Sequence, residues 1–273
     1  MLKTDSAHSR RIGISLVIAA TLCFSIIDAC AKWLVQQLPV VQVVGLRFAT
    51  HVGWMLVLLL PWQGVAAVRV RNPRLQGLRA LMLASMTGLN FIALQYLQLA
   101  EVGAIQFSVP VLIALMSAWL LHERLDLRRW AAIGAGFAGV LLVMRPGSTA
   151  FHPAILLSVG NAVLYAAFNL LTRRMAASET PEAMQFVSAL GAALVLAPFV
   201  VAVWVWPRDA VTWAVIALCG LAGGLGHWFL AMAHRYASAA VLGPFLYQQI
   251  IYMVAWGWLL FGQWPDAFVI AGA

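Results

Sequence analysis

Residues 12–34 read IGISLVIAATLCFSIIDACAKWL. These 23 consecutive positions carry only two charges, Asp28 and Lys32, and about 20 apolar residues in a helix suffice to cross the hydrocarbon of a bilayer. The polar, basic start MLKTDSAHSRR gives the run the superficial look of a secretory leader. The run is too long for a leader core of about 7–15 residues and it contains charges, so it reads as a retained first span.

The same pattern recurs along the chain. Further apolar stretches run over Val40–Pro61, Leu78–Leu97, Val102–Leu121, Trp130–Met144, Pro153–Thr172, Met184–Val205, Ala210–Ala233 and Ala239–Phe261. With the first, Ile12–Leu34, they make nine. After Pro265 the residues DAFVIAGA open a tenth, which the sequence cuts short at Ala273. The expected fold is therefore an all-α integral membrane protein.

Composition agrees. Of 273 residues, 63% are hydrophobic and 10% charged, with a mean hydropathy of +0.91. A soluble domain is about half apolar and a quarter charged, so a soluble enzyme, a secreted domain and a disordered chain are all poor fits. The net charge of +8 does not indicate nucleic acid, because the basic residues sit in short clusters between apolar runs. Cys23, Cys30 and Cys219 all fall inside those runs and read as small buried side chains, not as a disulfide framework or metal site.

Loop charges set the orientation. Thirteen basic residues fall on one side: Lys3, Arg10, Arg11, Arg69, Arg71, Arg74, Arg79, Arg124, Arg128, Arg129, Arg173, Arg174 and Arg235. Lys32, Arg145 and Arg208 fall on the other, and Arg47 lies within the second span. The positive-inside rule then places the N-terminus in the cytoplasm, with the chain multi-pass in a cell membrane, the bacterial inner membrane by expectation. Eight of the 12 tryptophans fall near span ends, as an interfacial belt would have them.

The halves of the chain resemble each other. Lys32 to Pro39 aligns with Arg174 to Pro181, Gly88-Leu89 with Gly224-Leu225, and Leu120-Leu121 with Leu259-Leu260, at offsets of 142, 136 and 139. Five spans per half is an odd number, so the second copy is inverted, and inverted repeats place a substrate site near the midplane between them. The expected units are residues 1–147 and 148–273. Lys32 ending the first span, Pro39 opening the second, Gly45-Leu-Arg47-Phe48 within it, and Ser117-Ala-Trp-Leu-Leu-His-Glu123-Arg-Leu125 ahead of a Gly-rich fifth span together resemble the EamA family of the drug/metabolite transporter superfamily. The resemblance covers essentially the whole chain. It implies a ten-helix bundle of two inverted five-helix repeats and the export of amino acids or other small metabolites, aromatic amino acids among them. Gly262-Gln263 departs from the Glu that the family often keeps in the second copy.

Two fingerprints fail their context tests. Gly134-Ala-Gly136-Phe-Ala-Gly139 spells a dinucleotide motif, but no strand precedes it and no acidic residue follows at about 20 positions. It reads as helix packing through small residues, as does Gly220-Leu-Ala-Gly-Gly224. His122-Glu123 lacks the second histidine of a zinc protease motif and reads as a turn.

The polar residues inside the spans carry the functional expectation. Ionisable groups within a membrane are costly and are paired or functional. Asp28 and Arg47 share a depth, so a salt bridge between them is geometrically open, either as a structural lock or as a coupling device. Lys32 and His51 follow them at i+4. Asp28 is the candidate proton carrier. The sixth span carries Asn161, Tyr165 and Asn169 at i, i+4 and i+8, a stripe that faces either a cavity or another helix. Asn90, Gln106, Trp228, Tyr247 and Gln248 extend the candidate substrate contacts. His227 is either a proton carrier or a packing residue. Pro110 and Pro244, in the fourth and ninth spans, are candidate hinges.

Many amides and aromatics with few charges suit a neutral or zwitterionic amphiphile, such as a neutral or aromatic amino acid. A monocationic metabolite or drug, held by cation–π contacts, is the alternative. A membrane-embedded enzyme is the rival class, but no nucleophile–base pair or metal-ligand cluster is recognisable. No Walker-type loop occurs, so the reading is a secondary transporter that needs no cofactor, working as a monomer with lipid around it.

Overall fold

The computed structural model describes residues 7–58, 70–121, 127–145, 151–175, 178–237 and 239–272. They form twelve helices: α1 (Ala7–Leu34), α2 (Val40–Leu58), α3 (Pro73–Tyr96), α4 (Leu99–Gln106), α5 (Val109–Leu121), α6 (Leu127–Met144), α7 (Ala154–Met175), α8 (Pro181–Ala202), α9 (Ala210–Tyr236), α10 (Ala239–Leu246), α11 (Gln249–Phe261) and α12 (Ala267–Gly272). Six of them, α1, α2, α3, α7, α8 and α9, are long and apolar enough to cross a membrane. The protein is an all-helical membrane bundle of the ten-span type. Large apolar side chains point outward, among them Leu194, Phe199, Val201, Ile251 and Leu259, which in water would be a liability and in lipid is the ordinary solution.

Helix starts follow local chemistry. Asn72 accepts from the Leu75 N–H ahead of Pro73, and Thr180 accepts from the Ala183 N–H ahead of Pro181. Each pairs a side-chain cap with a proline, whose missing N–H is no loss in the first turn. Asp209 caps α9 by accepting from the Thr212 N–H at 2.7 Å. Gly262 ends α11 in the left-handed region, φ 64°, and its N–H and that of Gln263 bond back to Trp258 and Gly257, a closure that glycine adopts without strain.

Two of the expected spans differ from a single rod. Val102–Leu121 is resolved as α4 and α5, interrupted at Phe107-Ser108, and Ala239–Phe261 as α10 and α11, interrupted at Tyr247-Gln248. The breaks lie 140 residues apart, in register with the repeat. The prolines do not share that register. Pro110 lies just after its break, where the missing N–H and the ring's clash with the Gln106 carbonyl account for the interruption. Pro244 lies ahead of the break in its own half, inside α10. The two candidate hinges therefore stand differently to the breaks of their spans. Elsewhere the differences are of a few residues, largest for α1 and α3, whose starts at Ala7 and Pro73 precede the expected Ile12 and Leu78. The His122-Glu123 turn lies outside the described residues.

Packing repeats between the halves. The α1–α9 contact has its counterpart in α3–α7, α2–α9 in α3–α8, and α1 on α10 and α11 in α7 on α4 and α5. The α2–α8 and α6–α12 contacts join equivalent helices, and α4–α11 joins opposite halves of equivalent spans. The glycine motifs serve packing. A Cβ on Gly139 would strike the Gly272 backbone, and one on Gly220 would strike Thr50. Arg145, at φ 45°, closes α6 and pairs with Asp266 at the start of α12.

Candidate functional site

Where α1, α2, α3, α7 and α9 converge with the breaks of α4–α5 and α10–α11, they line an open cavity of about 160 Å³. Its walls include Asp28, Arg47, Asn90, Gln106, Asn161, Tyr165 and His227, all seven named from the sequence. Phe24, Met86, Thr87, Phe91 and Gln249 complete much of the rest. A second cavity, about 630 Å³, lies on the side of the bundle where α1 begins and reaches the surface beside the exposed Pro181 and His234. Arg47 and His227 line both cavities. They therefore stand at the junction of a polar central chamber and a vestibule.

The chamber is wired by amides. Asn161 Nδ2 donates to Asn90 Oδ1 at 3.4 Å, and Asn90 Nδ2 donates to Asp28 Oδ1 at 2.8 Å. This corrects the expected pairing of Asp28 with Arg47: among the described residues, no ion pair joins them. The reason is azimuth, not depth. α1 packs mainly on α9, and α2 on α9 and α8, so Asp28 faces α3 while Arg47 faces α9. Arg47 stacks over the Phe48 ring, 4.3 Å to the centroid, and its Nε and Nη1 have no hydrogen-bond partner. His51, 1% exposed, has both ring nitrogens unpartnered and stacks with His227 at 6.5 Å between centroids. Lys32 belongs elsewhere, donating to the Leu94 and Leu97 carbonyls at 3.0 and 2.6 Å.

The polar stripe of the sixth span divides between the cavities. Asn161 and Tyr165 face the chamber, whereas Asn169 lines the vestibule and donates to the Tyr165 carbonyl at 2.7 Å. Besides Asn169, three more of the candidate substrate contacts lie off the chamber. Gln248 donates to Thr21 Oγ1 at 3.0 Å, Tyr247 meets Phe107 edge-to-face and is 45% exposed, and Trp228 borders a small pocket near Met55. The physical reason at the first two is the break itself. It turns the chain at Tyr247-Gln248, so the neighbouring Gln249 is the side chain aimed into the chamber. Thr87 was legible only as a small hydroxyl in an apolar run, and Gln249 only as one member of the polar Tyr247-Gln248-Gln249 group of the ninth span. Arg79 was read as a loop charge. It is buried, donating to Thr172 Oγ1, the Met184 carbonyl and Ser188 Oγ while lining the vestibule.

Known proteins resemble this chain over nearly its whole length. A sequence profile described as the EamA-like transporter family matches residues 11–145 and 152–273. An S-adenosylmethionine uptake transporter of Rickettsia prowazekii is 24% identical over 98% of this chain and 91% of its own. A pseudopaline exporter of Pseudomonas aeruginosa is 28% identical over 95% and 91%. A riboflavin transporter of Rhizobium johnstonii is 28% identical over 96% and 87%. A solved crystal structure shares the fold with a TM-score of 0.68 at 21% identity, over 95% of this chain and 92% of its own.

Proposed function

We propose, from the premise that the chain belongs to the EamA-like transporter family and is a multi-pass membrane transporter, that it moves a small amine-bearing amphiphile through the central chamber by alternating access. The observation that carries this is one carboxylate, Asp28, held by the Asn161–Asn90 relay in a wall that also presents Phe24, Phe91 and Tyr165. A carboxylate and oriented amides hold an ammonium group, and aromatic faces hold an apolar body. A volume of about 160 Å³ matches one aromatic ring, since a cavity of about 150 Å³ accommodates benzene. Neutral and aromatic amino acids and monocationic metabolites both meet these terms.

The 1–147 and 148–273 halves act as the two rocking units, with the N-terminus cytoplasmic and the vestibule opening to the cytoplasm. The direction we propose is export, as in the relative named an exporter; relatives named for uptake mean that flux is to be read both ways. Protons are the proposed coupling ion. Asp28 takes either a proton or the ammonium, which links the two movements.

The test is counterflow in proteoliposomes containing the purified protein. Labelled phenylalanine and phenethylamine are offered against the same unlabelled solutes inside. Accumulation of at least one, reduced about tenfold or more by Asp28→Asn, is expected, since one charge-assisted hydrogen bond is worth about 1.5–3 kcal/mol. Counterflow of neither solute, or full rates in Asp28→Asn, would overturn the proposal.

A further inference from the structure

The junction between the chamber and the vestibule holds a surplus of donors. Among the described residues, Arg47 Nε and Nη1 have no acceptor and neither nitrogen of His51 has a partner. Both side chains are more than nine-tenths buried, at 5% and 1% exposure. A buried guanidinium is always charged and a neutral imidazole always carries one N–H, so these groups call for an acceptor that the described residues do not supply. Among the described residues, no carboxylate pairs with Arg47, and Asp28 Oδ1 is engaged by Asn90.

The cluster is built, not accidental. α9 approaches α2 through glycines. A Cβ on Gly223 would lie 3.2 Å from Arg47 Nη2 and 3.4 Å from His51 Nδ1, and one on Gly224 would lie 3.6 Å from His51 Cδ2. The guanidinium carbon of Arg47 lies over the Phe48 ring, 4.3 Å from its centroid. His227 stacks on His51 and, through its other neighbour Phe24, is held against the chamber wall. A planar fork of N–H groups with an imidazole beside it matches the two oxygens of a carboxylate.

We propose that Arg47 and His51, positioned by Gly223 and Gly224, form a carboxylate-binding subsite at the junction of the two cavities, so that the substrate is a zwitterion bridging Asp28 and Arg47. The inference rests on the reading of the chamber as an amine site and narrows it, setting amino-acid-like solutes above simple monocations. Arg47 and Asp28 are kept apart so that the substrate, and not each other, completes their pairing.

The experiment measures equilibrium binding of radiolabelled benzoate and, separately, of phenethylamine to the purified full-length protein in detergent. Benzoate, which has a carboxylate and no amine, is expected to bind wild type. Arg47→Gln is expected to weaken it about tenfold or more and His51→Gln less, in proportion to the charged and neutral bonds lost. Gly223→Ala, which leaves every donor present but displaces them, is expected to weaken benzoate while sparing phenethylamine. Where Arg47→Gln does not fold, Arg47→Lys, which keeps the charge and loses the fork, and Gly223→Ala carry the test. Absence of benzoate binding to folded wild type, or benzoate binding unchanged in the Arg47 and Gly223 variants, overturns the subsite. Failure of phenethylamine to bind overturns the amine reading instead, since that arm depends on Asp28 and not on Arg47.

Discussion

Lys32 offers a stability test whose size follows from geometry. Its ammonium, 2% exposed, donates to the carbonyls of Leu94 and Leu97 where α3 ends. The last carbonyls of a helix have no partner within it, and a cation there also meets the negative end of the helix dipole. Phe261 lies over the same group, 5.6 Å from the ring centroid. Lys32→Met keeps the apolar stem and removes the donors. Two charge-assisted bonds are worth about 3–6 kcal/mol together. Part of that is offset because a buried ammonium no longer has to be desolvated, which leaves a net loss of about 2–4 kcal/mol. At about 2–4 °C per kcal/mol for a chain near this size, the apparent Tm falls by roughly 5–15 °C. The assay is thermal unfolding in detergent at a fixed heating rate, because the midpoint of an irreversible transition depends on that rate. A fall of less than about 2 °C would mean that the two carbonyls find other partners and that Lys32 does not close α3.

Asn161→Leu and Tyr165→Leu should each cut transport while leaving the thermal midpoint near that of wild type; normal flux in both would remove the α7 stripe from the substrate path. Pro110→Ala and Pro244→Ala should slow turnover more than they weaken substrate binding if the half-helices bend during the cycle, and unchanged turnover in both would make the breaks static. Asp209 caps α9, and the Thr212 N–H and hydroxyl hold its carboxyl below its ordinary value of 3.8. Its contribution is therefore fully present above pH 3.8 and is lost as pH falls through the depressed folded value. Asp209→Ala should lower the midpoint at pH 7, and the gap from wild type should close in acid; a gap that widens in acid would contradict the cap.

The fold was legible because lipid imposes a simple rule. A run such as Ile12–Leu34 can satisfy its backbone in hydrocarbon only as a helix, and loop composition did the rest. The breaks at Phe107-Ser108 and Tyr247-Gln248 were not legible as breaks, since the apolar runs continue across them, and Pro244 inside an intact α10 shows that a proline alone does not locate one. The chamber was half legible. Depth can be counted along a helix, and it brought Asp28 and Arg47 to one level. Azimuth depends on which helices are neighbours, and that is a property of the packed bundle. The Asp28–Arg47 pairing therefore failed where their depths agreed, and Gln248 gave way to Gln249 by one residue of helical turn.

Substrate protection of a single cysteine in the chamber tests the account most directly. Cys23, Cys30 and Cys219 are replaced by alanine and Thr87→Cys is introduced at the chamber wall, with Leu81→Cys on the outward face of α3 as the control. The account predicts that a small thiol reagent modifies the cysteine at 87 and that phenylalanine, or whichever solute shows counterflow, slows the modification in a saturable way while leaving the control unchanged. Equal rates with and without saturating solute, or equal protection at position 81, would contradict the claim that transport runs through the chamber between the two halves.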